Sequence, residues 1–161
     1  MPKVDNLLYL LKTTHGATMK TLDGISEADS LVTIPGNPNH IRWITGHLAA
    51  SAVHQARALG VTAAIPSEWS APFGRGVEPV ADNSLYPSME ALRLKLGELH
   101  EVIQSGTEGK SDAELDVEIE VIPGWKATVM NFANFFCIHE FYHAGQVAMI
   151  RHTLGKTRLF G

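Results

Sequence analysis

Apolar residues recur at helical spacing in four stretches of this chain, separated by two long stretches that follow no helical period. Val4, Leu7, Leu8, Leu11, His15, Thr18 and Leu22 fall three or four apart, which predicts an amphipathic helix from about residue 3 to 23. A second is predicted after Pro35-Gly36-Asn37-Pro38, with Asn39 as its cap, running through Trp43 and His47 to a stop at Gly60. The third starts near Pro87-Ser88 and sets Met89, Leu92, Leu96, Leu99 and Ile103 on one face before Gly106. The fourth and longest opens after Pro123-Gly124 and continues to Leu154-Gly155. The pattern predicts an all-α chain.

The connections carry their own signals. Residues 61–86 combine Pro66, Pro72 and Pro79 with Trp69, Phe73 and Tyr86, the composition of an ordered excursion packed over something, not of a flexible linker. Leu115-Asp116-Val117-Glu118-Ile119-Glu120-Val121 alternates apolar and acidic residues with the period of a strand. A lone strand is not stable, so this segment either straps the helices or pairs with a short neighbour.

A length of 161 residues suits one filled core, so a single domain spanning residues 1–161 is expected. A formal net charge of -4 with no run of lysines or arginines speaks against nucleic acid as a partner. No stretch approaches ~18 apolar residues and the N-terminus lacks a signal-peptide core, so no membrane role and a cytoplasmic location are expected. Cys137 is the only cysteine, which rules out an internal disulfide and fits a reducing compartment; it reads as a small packing residue.

The densest chemistry lies in His139-Glu140-Phe141-Tyr142-His143, since imidazoles four apart on a helix share a face and can grip one metal ion. Counting ~100° per residue, Phe132, Phe135, Phe136, Tyr142, Gln146 and Ile150 share the stripe of His139 and His143. Imidazoles on such an inward stripe need a donor, an acceptor or a metal. A hydrogen-bonded pair without metal also meets that need. Two ligands are too few for tight binding, and the second helix offers His40, His47 and His54 on one face. They are seven apart, so only one can join a given ion; His47, mid-helix beside Trp43, Ala50 and Ser51, is preferred. His15 reads as a satisfied core residue, while His100 and His152 read as solvated or structural. The same five residues match the zinc-protease signature, but position 149 is Met149, where its extended form needs histidine, and no acidic residue follows Glu140. Peptidase chemistry is disfavoured.

Asn39 through Ser51, with Trp43 followed by Gly46-His47-Leu48, resembles the second-helix motif of DinB-like (DinB/YfiT) proteins. His139-Glu140-Phe141-Tyr142-His143-Ala144-Gly145-Gln146 resembles their fourth-helix motif, His-x-x-x-His-x-Gly-Gln. The resemblance covers nearly the whole chain in helix order. It implies a four-helix bundle with long crossover connections and a metal held by His47, His139 and His143. It also implies a homodimer, an expectation to which the aromatic residues of 61–86 add weakly.

Three neutral histidines leave a coordination position open to water or substrate, with Zn²⁺ or Ni²⁺ the expected ion. One use is activation of a low-molecular-weight thiol for transfer to a small-molecule electrophile, which the resemblance favours because relatives include thiol-dependent S-transferases. A metal-dependent hydrolase and a non-enzymatic metal-binding interaction module are the alternatives. Glu140 is a candidate base, with a solvated or salt-bridging role equally open, and Gln146 is a candidate to orient a ligand or water. Gly145 is expected to permit close helix packing, and Trp43 to be core.

Overall fold

The computed structural model describes residues 2–80 and 82–159. Four long helices dominate: α1 (Lys3–Leu22), α2 (Ile41–Ala58), α3 (Met89–Glu108) and α4 (Val129–Thr153). The main packing partners are α2 with α3, α1 with α4, α2 with α4 and α1 with α3, so the order around the bundle is α1–α4–α2–α3. This is the all-α architecture expected from the apolar periodicity. One core layer holds Leu22, Ile44, Phe73, Leu92, Leu96 and Ile150; a second holds Leu7, Leu11, Ala56, Leu59, Ile103 and Cys137. The helices are buried on one face because their apolar residues sit three and four apart, and burial of each such side chain contributes about 1.5–3 kcal/mol.

Two predicted boundaries move. Asn39 does not cap α2; His40 does, its Nδ1 accepting the Trp43 backbone N–H at 3.1 Å. Imidazole is an uncommon cap, which is why the neighbouring asparagine looked the better choice. The fourth helix begins at Val129 and not after Gly124, because Trp125–Thr128 forms strand β2 against β1 (Glu118–Ile122). The alternating segment therefore pairs with a short neighbour, in register Ile119 with Ala127 and Glu120 with Lys126. Pro123-Gly124 makes the turn, with Gly124 at φ +80°, where a side chain would be strained. Thr128 then caps α4 through its Oγ1, which accepts from the Asn131 N–H at 3.2 Å. Arg151 near the other end of α4 donates to the Thr21 carbonyl at 3.0 Å and also to the Asp23 carbonyl, tying α4 to the C-terminal end of α1.

The 61–86 excursion folds onto the bundle. It contains 3₁₀ turns at Ser67–Trp69 and Asn83–Leu85 and a short helical turn at Ser70–Phe73. Trp69, Phe73 and Tyr86 are all buried, so these aromatics complete the core and offer no surface for a second copy. Val80 and Leu85 of this segment stay exposed, and Ile138, Phe141, Tyr142 and Met149 are exposed along the outer side of α4. Gly145 sits among them with open space around it, contrary to the packing role expected for it. Close packing does require Gly46, where a Cβ would meet the Phe73 ring at 2.3 Å, and Gly106, where it would meet the Val61 side chain at 2.2 Å.

Gly46→Ala is therefore expected to destabilise the fold by about 1–3 kcal/mol through overpacking. A urea melt checks this, and an unchanged midpoint would mean that Phe73 can relocate without cost.

Candidate metal centre

α2 and α4 face each other across His47, His139 and His143. One ring nitrogen from each lies within 4.8 Å of the other two, and His47 Nε2 is 3.2 Å from His139 Nε2. The surrounding groups fix which nitrogen of two of these rings faces inward. His47 Nδ1–H donates to the Phe73 carbonyl at 3.1 Å, which leaves Nε2 as a lone pair. Gln146 donates its amide to the Tyr142 hydroxyl at 3.2 Å, so its Oε1 accepts from His143 Nδ1–H at 2.8 Å, and His143 Nε2 is also a lone pair. His139 Nδ1 is buried without a hydrogen-bond partner among the described residues. Bonds of ~2.0–2.1 Å at the tetrahedral angle separate ligand nitrogens by about 3.3 Å, close to the contact between His47 and His139. The donor set and its spacing fit a divalent metal ion.

The group has an open side. His47 and His139 help to line a cavity of about 690 Å³, within the range of small-molecule pockets. Its walls are mainly apolar and include Trp43, Phe73, Val121, Trp125, Phe135 and Phe136, with Arg75 and Glu78 adding charge. The hairpin supplies Trp125, whose ring meets Phe132 and Phe135 with centroids 4.6 Å away in both cases. The excursion supplies residues 73–78. Both irregular connections thus form walls of the cavity.

A sequence profile described as the DinB superfamily matches residues 10–147. The chain belongs to the DinB superfamily. A crystal structure of a DinB-like protein from Bacillus cereus ATCC 10987 superposes with a TM-score of 0.75, covering 98% of this chain and 96% of that one at 14% identity. At that identity the likeness shows the shared superfamily fold. No curated protein matches the chain.

Against the superfamily fold, the other predicted residues can be placed. Trp43 is buried and stacks on His47, with centroids 4.9 Å apart and planes 6° apart, while its Nε1–H donates to the Pro72 carbonyl at 3.0 Å. It is core and also wall. His54 is exposed and stacks on Phe136, and His152 is exposed. Phe135 and Tyr142 are exposed as well, so the predicted inward stripe faces inward only along Phe132, Phe136, His143 and Ile150. Cys137 is buried as expected, its thiol pushed up to about 12 by burial and by Glu140.

Glu140 is neither solvated nor turned to the three histidines. Its carboxylate is buried against His15 of α1 and His100 of α3, at 3.7 and 3.1 Å. His100, expected to be solvated or structural, is likewise buried, which leaves the structural role. The signal was present, since His15 follows Leu11 by four and His100 follows Leu96 by four, which places both on the apolar faces of their helices.

Burial holds the ligand imidazoles neutral. Desolvation is the main cause in each case; it lowers His47 below the ordinary 6.5, and His139 and His143 to about 4. The neighbouring rings lower His139 further, and the Gln146 hydrogen bond partly offsets the fall at His143. His40 falls to about 4 and His15 to about 3, again chiefly through burial. Between pH 6.5 and about 4 the unfolded chain therefore binds more protons than the folded one. Metal-free protein is expected to keep full stability above pH 6.5 and to lose it steadily as the pH falls toward 4. Urea midpoints in the presence of a chelator test this; a midpoint that held constant from pH 7 to 5 would contradict the buried neutral imidazoles.

Proposed function

We propose that His47, His139 and His143 hold a divalent metal ion and that the protein uses it to transfer a low-molecular-weight thiol to a small electrophile. The observation that carries this reading is a cluster of three ring nitrogens, two of them fixed as inward lone pairs, with His47 and His139 opening onto a cavity with apolar walls. When bound, such an ion supplies Lewis acidity that lowers the pKa of a thiol occupying its open position. The protein's own residues do the rest. Phe73 and Gln146 hold the ligand rings in one tautomer, the aromatic walls exclude water and receive the apolar body of the electrophile, and Arg75 offers a counter-charge for an anionic group. The incoming sulfur forms a bond to carbon, and the leaving group departs with its electron pair.

One feature favours a thiol over water as nucleophile, and another places the source of that thiol outside the chain. Cys137 is buried with its thiol protonated, so a reacting thiol has to come from outside the chain. Glu140, the carboxylate adjacent to a ligand in sequence, is committed to His15 and His100 and does not serve as a base for hydrolysis. We read Zn²⁺ or Ni²⁺ as the ion, from the neutral imidazole donor set.

Metal-loaded protein is expected to consume a model electrophile only when metal and a cellular thiol are both present. His139→Ala should remove that activity while leaving the far-UV spectrum unchanged. Gln146→Leu should weaken metal binding by about 10–100-fold, since it removes the partner that fixes the His143 ring. Turnover that needs metal but no thiol would instead establish a hydrolase. The exposed apolar side of α4, at Ile138, Phe141 and Met149, is the surface through which the expected homodimer would form. Light scattering at micromolar concentration tests it, with loss of the dimer expected for Phe141→Asp.

A further inference from the structure

A second set of metal-ligating side chains lies between α1, α3 and α4. His15 and His100 stack with ring centroids 3.7 Å apart and planes 7° apart, and both turn Nε2 toward the Glu140 carboxylate. His100 Nε2 lies 3.1 Å from Oε1 and His15 Nε2 lies 3.7 Å from Oε2. The three residues are only 2%, 3% and 5% exposed in the order His15, His100, Glu140. One ligand atom from each lies within 4.8 Å of the others. Thr18, three residues along α1 from His15, adds a buried hydroxyl to the same neighbourhood.

These groups are close to one another, but their contacts are not aligned as hydrogen bonds. His15 Nε2, both nitrogens of His100, Glu140 Oε1 and Thr18 Oγ1 are buried without a well-formed hydrogen bond among the described residues. Nitrogen and oxygen atoms at 3.1–3.7 Å that fail to align as donor and acceptor have the arrangement of ligands that share a point between them. Charge adds to the argument. The only ion-pair partners of this buried carboxylate among the described residues are those two rings, with no lysine or arginine beside it. A carboxylate buried out of water calls for a compensating partner, and a divalent ion is one that both rings could share.

The geometry points to a second divalent-cation site, with His15 Nε2, His100 Nε2 and the Glu140 carboxylate as ligands and the Thr18 hydroxyl beside them. Two imidazoles and a carboxylate are the donors of a borderline ion such as Zn²⁺. Bonds of ~2.0–2.1 Å would place ligand atoms about 3.3 Å apart, so the two nitrogen–oxygen contacts need shift by only a few tenths of an ångström. Loading fans the stacked rings apart, because the lone pairs of parallel rings run side by side. The structure places the Gln104 amide nitrogen 2.9 Å from His15 Nδ1, and loading requires that amide to turn over, so that its oxygen accepts from Nδ1–H and Nε2 is freed for the ion. The site is enclosed, so its ion is structural: it ties α1 and α3 to α4 one residue from His139. An enclosed site fills as the protein folds.

The test is metal stoichiometry on tag-free protein refolded with excess Zn²⁺ and then desalted. Wild type should retain two equivalents per chain. The His47→Ala, His139→Ala double variant should retain one, and adding His100→Ala to it should remove that one. If the triple variant does not fold, the double variant refolded with Co²⁺ decides alone, since a bound ion with nitrogen ligands gives visible d–d absorption. A single equivalent in wild type together with none in the double variant overturns the proposal, as does a double variant that stays colourless with Co²⁺. A single equivalent that survives in the double variant would support this site and count against the open one, so the two readings fail separately.

Discussion

The α4 helix carries His139, Glu140, His143 and Arg151 into the interior, and each of these groups must find a partner there. Much of the rest of the bundle is arranged to supply them. Arg151 finds the last carbonyls of α1, His143 finds Gln146 on its own helix, and Glu140 finds two imidazoles from α1 and α3. The rotation of α4 about its axis is thereby over-determined. A turn of a few tens of degrees would strip several buried polar groups at once, whereas purely apolar packing would tolerate it more readily.

That fixed rotation would be of little use if the facing helix were free to slide. The excursion after α2 prevents this. Phe73 inserts its ring where Gly46 leaves no Cβ, and the carbonyl of the same residue accepts the Nδ1–H of His47, the next residue along. One residue of a connecting segment therefore sets both the depth of the loop and the tautomer of a candidate ligand. The Trp43 ring stacked on His47 and bonded to the Pro72 carbonyl adds a second fastening between the same two elements. A loop of this kind is costly to order, and the burial of Trp69, Phe73 and Tyr86 in the core is what offsets that entropy.

Legibility in the sequence followed how much of each signal was local. α1 and α3 show in the apolar spacing because each buries one stripe, and α2 shows in its apolar content and its flanking Pro and Gly, being buried on all sides over its first turns. α4 was legible in extent except at its start, where Trp125–Thr128 contains nothing that forbids helix; only pairing with Glu118–Ile122 makes it a strand, and pairing is not local. The His139 and His143 pair and its partner His47 could be read because spacing of four and an apolar face are properties of a single helix. The role of Gln146 was half visible: its place on the stripe was plain, but its partner turned out to be His143. Gly145 was expected to permit close packing and does not, while Gly46, noted only as part of a motif, does. Each sits in a family motif, and nothing short of the tertiary structure shows that one faces open space and the other an aromatic ring.

The step from His139 to Glu140 is the feature on which the chemistry turns. Consecutive residues on a helix point about 100° apart, so one helix serves two faces of its surroundings without any break in its backbone. His139 joins α2 at a cavity, while Glu140 joins α1 and α3 in the closed interior. Had the carboxylate faced the cavity, it would have stood as a base beside the three nitrogens. Turned inward, it leaves that cavity lined mainly by imidazole and apolar wall, with charge only at Arg75 and Glu78. The same pentapeptide that spells a protease signature on paper thus separates its glutamate from its histidines in space. That separation takes Glu140 out of the open site as a base, so a carboxylate acting there would have to be Glu78 from the cavity wall.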